Sequence, residues 1–266
     1  MIGMGDKKQA DVLVSVIMPA YNAAAYIESA IRSVMAQTYP HWKLLVIDDG
    51  SCDDTCAIVM RLSKEDDRVT LLCNDHNIGV AETRNRGLDL CAGSWVAFLD
   101  SDDLWHPDKL SLQVQKMLRE EADLVYTSYG IMDCEGNLCK SPYLVPDKAD
   151  FDRLLKENVI GCSAVLISEN LARTYRFAPH FYHEDYCLWL KILQDGYKAV
   201  GCKEVLMTWR LACGSRSFDK RNGACNRWRI YRKHLGLPLF KSVSCFISYA
   251  FNGLRKYCQT NKGRRT

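Results

Sequence analysis

Three acidic residues, Asp100, Asp102 and Asp103, follow a short apolar segment near the middle of the chain. That segment, residues 94–99, has the composition of a buried β-strand, and carboxylates two residues apart on extended backbone point to the same side. The carboxyl ends of strands face the crevice in which open α/β sheets hold ligands. Carboxylate oxygens suit Mg²⁺ or Mn²⁺, which bind through one or two carboxylates together with substrate phosphates. The alternative interpretation is an acidic turn that caps a helix starting at Trp105-His106-Pro107.

Two further acidic pairs stand at the ends of predicted elements. Asp48 and Asp49 close the second predicted strand, and Glu184 and Asp185 follow His183 at the start of a predicted helix. Each pair alone also fits a helix cap or a surface charge, and helix entry is the favoured interpretation of His183. Two acidic strand ends in one sheet weaken the interpretation as caps or surface charges, because the carboxyl ends of parallel strands meet at one edge.

The elements that must position these acids alternate regularly through the first hundred residues. Apolar runs predict buried parallel strands, and helical spacing predicts the segments between them. The strands are predicted at 12–19, 44–47, 69–73 and 94–99, and the helices at 24–36, 53–63 and 80–91. Successive units of this kind predict a Rossmann-like, doubly wound, mainly parallel α/β sheet.

The pattern is less regular after Asp103, where an α+β half is expected. The predicted elements are a helix at 109–119, a strand at 124–131, a hairpin turn at 133–137, helices at 148–158 and 185–193, and a strand at 200–210. This half is expected to recognise the acceptor of any reaction carried out at the acidic sites.

Composition limits the class of protein. With 266 residues, 48% hydrophobic and 25% charged, the chain has the profile of a globular protein with one large domain and an appendage. It has no apolar run long enough to span a membrane, and its first residues lack the apolar region of a secretory leader, so neither element is expected. The closest pairs among its 13 cysteines, Cys52 with Cys56 and Cys134 with Cys139, lack a second pair or a histidine at zinc-site spacing. The cysteines are therefore interpreted as reduced thiols of a cytoplasmic protein.

The charge of the chain is unevenly distributed. Residues 220–266 carry 12 basic and no acidic residues, whereas the rest of the chain carries 23 basic and 32 acidic ones. The largely apolar segment 240–254 could lie in a membrane interface, with neighbouring cations on anionic headgroups. The alternative is a pair of C-terminal helices packed on the body with a solvated basic face. No nucleic-acid-binding module surrounds the basic residues, so nucleic acid is not an expected partner.

Several motifs together carry a family resemblance. They are residues 14–22 (VSVIMPAYN), 47–51 (IDDGS), 77–87 (with Arg84-Asn85), 98–103 (FLDSDD), 183–186 (HEDY), and Trp209-Arg210 with Ser215 and Ser217. In order and spacing these motifs resemble the family 2 glycosyltransferases of GT-A fold, over residues 11–217. More narrowly, the chain resembles glycosyltransferases of the teichuronic-acid type, which build bacterial polysaccharides. The resemblance is imperfect: Cys52 replaces a common threonine, and residues 211–214 lack a histidine often found there.

The resemblance implies an inverting transfer from a nucleotide diphosphate sugar, most simply a UDP-sugar, to a saccharide or lipid-linked saccharide. Asp102 would be the direct ligand of Mg²⁺ or Mn²⁺, with Asp103 as the alternative ligand. Asp185 would be the general base and Glu184 would orient the acceptor or the base. The implied donor-binding residues are Pro19, Ala20, Tyr21, Asn22, Asp49, Arg84, Asp100, Ser101, Asp102 and Arg210.

Within that set, the resemblance gives some residues a specific partner. Asp49 would accept from the uracil N3–H, Asp100 would contact the ribose or help to hold the metal, and Arg210 would reach the diphosphate.

The expected organisation has three parts: a flexible N-terminus over 1–11, a glycosyltransferase domain over 12–217, and a basic helical extension over 218–266. Within the domain, 12–104 would bind the nucleotide sugar and 105–217 the acceptor. The protein would act in the cytoplasm, on the inner face of the membrane. A non-catalytic sugar-nucleotide-binding or assembly protein on the same scaffold is the main rival. A phosphatase of the haloacid dehalogenase type is disfavoured, because its acid pair would follow the first strand.

Overall fold

The computed structural model describes residues 12–91, 95–211 and 220–262. Its first half alternates strand and helix as predicted, with boundaries shifted by up to three residues. The strands are β1 (Val14–Ala20), β2 (Trp42–Asp48), β3 (Val69–Cys73) and β4 (Trp95–Phe98), and the helices are α1 (Ile27–Met35), α2 (Thr55–Leu62) and α3 (Val80–Leu90). The predicted flexible segment 1–11 lies outside the described residues.

The second half is mixed, and two expectations about it were wrong. Leu104–Trp105 is a short strand, β5, rather than a helix start, because its backbone pairs with a later strand. The segment expected as one helix at 148–158 divides into a two-residue strand and a short helix, which Asp150 caps by accepting from the backbone N–H of Arg153. The elements are β5, α4 (Lys109–Glu120), β6 (Leu124–Met132), β7 (Leu138–Tyr143), β8 (Lys148–Ala149), α5 (Phe151–Lys156), β9 (Val165–Ser168), α6 (Glu169–Thr174), α7 (Glu184–Gln194) and β10 (Ala199–Arg210).

One continuous sheet joins the two halves in the order β3-β2-β1-β4-β9-β6-β10-β5, with β7 beside β6 and β8 beside β10. Strands β3, β2, β1 and β4 are all parallel, as predicted. Strand β9 runs antiparallel between β4 and β6, and β10 runs parallel to β6. The sheet therefore continues past residue 104, where the direction of the chain changes.

Close packing of α3 on β1 fixes the geometry behind the acidic loop. Strand β1 is buried along its whole length, and a Cβ on Gly87 of α3 would lie 2.6 Å from Ile17 Cγ2. Only glycine allows this approach. Asn85, two residues earlier on α3, exchanges two hydrogen bonds with the backbone of Phe177, at 2.8 and 2.9 Å. The Arg84-Asn85 motif therefore holds α3 to the second half of the molecule.

The C-terminal segment forms α8 (Lys220–Arg229), a π-helical turn (Ile230–His234) and α9 (Leu239–Lys262). Its inner face packs on the body: Ile230, Tyr231 and Cys245 are buried in the main core. Arg227 is buried between two rings, with its guanidinium carbon 4.2 Å from the Tyr186 centroid and 3.6 Å from that of Tyr249. Among the described residues, no helix combines the length and apolarity needed to cross a membrane.

Candidate active site

The acidic loop that leaves β4 is held in place by its backbone. The amide N–H of Asp100 donates to Ser163 Oγ at 3.0 Å, and the Arg210 side-chain Nε donates to the Asp102 carbonyl at 2.9 Å. Asp103 is 2% exposed, and its carboxylate accepts from the backbone N–H of Arg210 at 3.0 Å. The end of β10 thus fixes the loop from one side and Ser163 from the other.

The carboxylates of this loop repel one another. Burial, and then the neighbouring Asp100 charge, raise the pKa of Asp102 to about 6. The same two causes, followed by the Asp102 charge, raise the pKa of Asp103 well above its usual range. A hard divalent cation would relieve this crowding, and oxygen donors are the ligands that Mg²⁺ and Mn²⁺ prefer. The three carboxylates therefore fit the implied metal.

A second acidic pair begins α7, where negative charge is favoured by the helix dipole. Arg84 of α3 joins it to the first: its Nη1 donates to Glu184 at 2.7 Å and its Nη2 to Asp100 at 2.5 Å. The Arg84 and Glu184 side chains are only 4% and 8% exposed, whereas that of Asp100 is 38% exposed. The structure therefore places Arg84 as a bridge between the acidic motifs.

Asp185 has the electrostatic environment of a base. Its side chain is partly buried, and Oδ1 accepts from the backbone N–H of Tyr186 at 2.7 Å. Burial, then the Glu184 charge, raise the pKa of Asp185 to about 7, against the opposing effect of Arg84. A carboxylate with a pKa near neutrality is matched to general-base catalysis.

The two acidic motifs share one cleft of about 280 Å³. Asp100 and Asp103 line it from the expected donor half, residues 12–104, and Glu184 and Asp185 line it from the expected acceptor half, residues 105–217. The remaining lining residues are Arg84, Tyr129, Asn158, Gly161, Cys162, Ser163, Tyr182, His183, Met207 and Trp209. Ser101 and Asp102 lie in the adjoining turn, partly exposed, outside this described lining.

The predicted nucleoside loop follows β1, apart from the cleft lining. Asn22 has a positive φ of 49°, and its amide N–H donates to Ser51 Oγ while its side-chain oxygen accepts from the Cys52 N–H, both at 2.9 Å. Pro19 and Ala20 are buried at the end of β1, and Tyr21 is 50% exposed. The loop is thus anchored to the turn after β2, with one aromatic side chain left exposed.

Asp49 is buried and already accepts three hydrogen bonds, from Asn74 Nδ2 at 2.7 Å and from the N–H groups of Ile78 and Gly79 at 2.9 Å. A carboxylate has about four acceptor positions, so one remains for a base. In this structure the residue orders the loop that enters α3.

Arg210 also has structural partners. Besides the Asp102 carbonyl, its Nη1 contacts the Asp133 and Cys134 carbonyls at 3.4 Å, and its guanidinium lies 4.5 Å from the Tyr26 ring. It therefore lies beside the acidic loop. Ser215 and Ser217 of the predicted closing segment lie outside the described residues, as do residues 212–214.

Sequence patterns did not identify Ser163. Its hydroxyl contacts the Asp100 amide and interacts with Asp103, and its carbonyl accepts from Trp105 Nε1 at 2.8 Å. The residue lies 60 positions from the acidic loop and belongs to none of the motifs quoted above, so local spacing carried no signal for it.

Known proteins are similar to this chain over most of its length. The model of "Glycosyl transferase family 2" matches residues 15–171. Over 92% of its length the chain is 36% identical to the putative teichuronic acid biosynthesis glycosyltransferase TuaG of Bacillus subtilis, covering 97% of that protein. It is also 36% identical to WfgD of Escherichia coli, a UDP-Glc:alpha-D-GlcNAc-diphosphoundecaprenol beta-1,3-glucosyltransferase, covering 93% of the chain and 96% of WfgD.

Solved structures share the fold at low identity. TarS 1–349 of S. aureus, in complex with UDP-GlcNAc, aligns with a TM-score of 0.72 at 17% identity, over 90% of this chain and 71% of TarS 1–349. The mannosyltransferase PcManGT from Pyrobaculum calidifontis, in complex with GDP-Man and Mn²⁺, aligns with a TM-score of 0.67 at 20% identity, over 90% and 69% of the two chains.

Proposed function

The chain belongs to glycosyl transferase family 2 and has the GT-A fold, and from this premise we propose that it transfers a sugar from a UDP-sugar to a lipid-linked saccharide during the synthesis of a bacterial surface polysaccharide. The observation that carries the proposal is the shared cleft. It presents a candidate metal-binding acidic loop and a candidate base to the same space.

The donor and the acceptor are proposed from the relatives. WfgD is named for UDP-Glc and a diphosphoundecaprenol acceptor, and the TarS structure contains UDP-GlcNAc. Uridine is therefore the proposed nucleoside, with Asp49 as its acceptor at N3–H and residues 19–22 along the nucleoside.

Asp185 would take the proton of the acceptor hydroxyl as that oxygen attacks the anomeric carbon. The bond from the anomeric carbon to the UDP oxygen breaks in the same displacement, so the configuration is inverted. Glu184 is held by Arg84, and beyond the effect of burial its charge raises the pKa of Asp185 and so its basicity. General-base catalysis of this kind contributes about 10²–10⁴-fold.

Asp102, with Asp100 and Asp103 beside it, would hold Mg²⁺ or Mn²⁺. When bound, such a cation neutralises the charge that develops on the leaving diphosphate. Arg210 fixes the loop that presents these carboxylates, and its guanidinium would add a second positive charge beside the same anion.

A transfer assay tests the proposal. The full chain would be incubated with Mn²⁺, a membrane extract containing lipid-linked saccharides, and separate UDP-, GDP- and dTDP-sugars labelled in the sugar. We expect label in the lipid fraction from a UDP-sugar, lost in Asp185→Asn. Binding of UDP without transfer to any acceptor would instead support the non-catalytic scaffold.

We also propose that α9 rests on an anionic membrane surface. Its outer face carries an exposed apolar stripe at spacings of three and four residues: Phe240 (87% exposed), Val243 (41%), Ile247 (62%) and Phe251 (65%). Its inner face packs on the body, so the stripe has no partner within the described residues. The charge count supports a lipid partner, since residues 220–266 carry 12 cations and no anion.

Vesicle sedimentation tests this surface. Serine at Phe240, Ile247 and Phe251 should lower binding to phosphatidylglycerol vesicles by roughly tenfold or more, because burying a large apolar side chain contributes about 1.5–3 kcal/mol. The matched control places serine at Leu138 and Leu144, which are 73% and 63% exposed elsewhere. Unchanged binding of the triple variant, or concentration-dependent dimerisation through the stripe, would contradict the proposal.

A further inference from the structure

Three potential metal ligands converge on the outer edge of the donor half. Asp48 ends β2, Cys56 lies in the first turn of α2, and Cys73 ends β3. One ligand atom from each lies within 4.8 Å of the other two. The two cysteines are 17 positions apart in sequence, so their spacing did not resemble a metal-binding motif.

The separations fit a tetrahedral ion. The Cys56 and Cys73 sulfurs lie 3.9 Å apart. Two thiolates bound to zinc at about 2.3 Å in tetrahedral geometry would be separated by about 3.8 Å. The sulfurs are thus already at the spacing of two ligands of one ion, and well beyond disulfide bonding distance.

The Asp48 carboxylate supplies an independent indication. The residue is 2% exposed, and its Oδ2 accepts from the Ser51 N–H at 2.9 Å. The other oxygen, Oδ1, is buried with no nitrogen or hydroxyl donor among the described residues, and the Cys56 thiol interacts with this carboxylate. A buried carboxylate oxygen without a donor is costly unless a cation or proton lies beside it.

We propose that Asp48, Cys56 and Cys73 bind one zinc-class divalent cation, at a site separate from the acidic cleft. Two thiolates and one carboxylate select Zn²⁺ over Mg²⁺ or Mn²⁺, which prefer oxygen ligands alone. Cys73 is exposed and Cys56 partly so, which leaves the fourth position open to water.

Such an ion would join the ends of β2 and β3 to the first turn of α2. The turn after Asp48 also anchors Asn22 of the nucleoside loop through Ser51 and Cys52.

Cobalt substitution distinguishes this site from the acidic cleft. The full chain, freed of metal and reduced, would be titrated with Co²⁺ while its absorption is recorded. We expect one equivalent of Co²⁺ to produce a sulfur-to-cobalt charge-transfer band, which Zn²⁺ abolishes and Mg²⁺ does not. Cobalt bound by the carboxylates of the acidic loop would produce no such band.

Matched variants assign the ligands. Cys56→Ser and Cys73→Ser should lose the band. Asp48→Asn should weaken cobalt binding by roughly tenfold or more, since removing even a group that only supports a metal ligand lowers metal affinity by about 10–100-fold. The charge-transfer band should remain in Asp102→Asn and in Cys52→Ser, which removes an exposed thiol on the neighbouring turn. A band that persists without Cys73, no band in the reduced wild type, or loss of the band in Cys52→Ser would each overturn the proposal. Circular dichroism of each variant checks folding.

Discussion

The acidic motifs of the two halves reach the cleft by different structural means. In the donor half, the loop of Asp100 and Asp103 leaves a buried parallel strand and is fixed from two sides, by Ser163 and by Arg210. In the acceptor half, Glu184 and Asp185 start a helix and depend on one buried arginine from the other half. Both motifs therefore depend on distant contacts, but the donor loop has partners on two sides, whereas the acceptor pair relies on Arg84, 100 positions from Glu184.

This difference predicts that the acceptor side is the more sensitive to single substitutions in catalysis. Asp185→Asn keeps the shape of the side chain but removes the base, so kcat should fall by about 10²–10⁴-fold. Steady-state transfer rates at saturating donor measure the effect. A variant with more than half of the wild-type kcat would mean that another group accepts the proton.

Arg84 tests whether the halves depend on the bridge. Arg84→Met leaves Glu184 buried without its partner, and removing one member of a buried ion pair costs about 3–5 kcal/mol. Urea denaturation should show this loss of unfolding free energy. Arg84→Lys keeps the charge but loses the forked guanidinium that reaches both acids, so its loss of unfolding free energy should be intermediate. Equal stability of all three proteins would show that the bridge contributes nothing.

Gly87 tests the rigidity of the donor half. Gly87→Ala introduces a Cβ 2.6 Å from Ile17 Cγ2, and overpacking of this kind costs about 1–3 kcal/mol. The control is Gly161→Ala in the acceptor half, whose nearest contact would be 3.9 Å, from Ala164 Cβ. Thermal unfolding should separate the two variants. If both unfold at the wild-type temperature, α3 is free to move away from β1.

The pH profile is the mildest test of the acceptor side. Asp185 has a pKa raised to about 7, and it cannot accept a proton once it carries one. The value of kcat should therefore fall about tenfold per pH unit below 7 and level off above it, measured with saturating donor and metal. A profile that stays flat down to pH 5 would contradict a raised pKa for the base.

The distance in sequence between contacting residues explains what the sequence could predict. Strands β1 to β4 and the acids at their ends follow from apolar runs and local spacing, and the predicted boundaries were accurate to within three residues. The short strand at Trp105 was missed because its partner, Met207, lies about 100 positions away. The Arg84 bridge, the Ser163 contact and the Cys56–Cys73 pair also depend on distant segments, so no local pattern could reveal them.

The sequence predicted only part of the C-terminal segment. Its basic charge and apolar content are evident from the residues, but the sequence does not show which face packs on the body. The burial of Tyr231 and the stacking of Arg227 on Tyr186 place its inner face against the helix that carries Asp185.

Calorimetric titration with UDP, with and without Mn²⁺, tests most directly whether the acidic loop, and not Asp185, holds the donor. The three proteins compared are the wild type, Asp102→Asn and Asp185→Asn. Binding that requires Mn²⁺ in the wild type and in Asp185→Asn, and that is lost in Asp102→Asn, is the predicted result. If Asp102→Asn binds UDP with the same Mn²⁺ dependence as the wild type, the acidic loop does not hold the donor and the central claim is wrong.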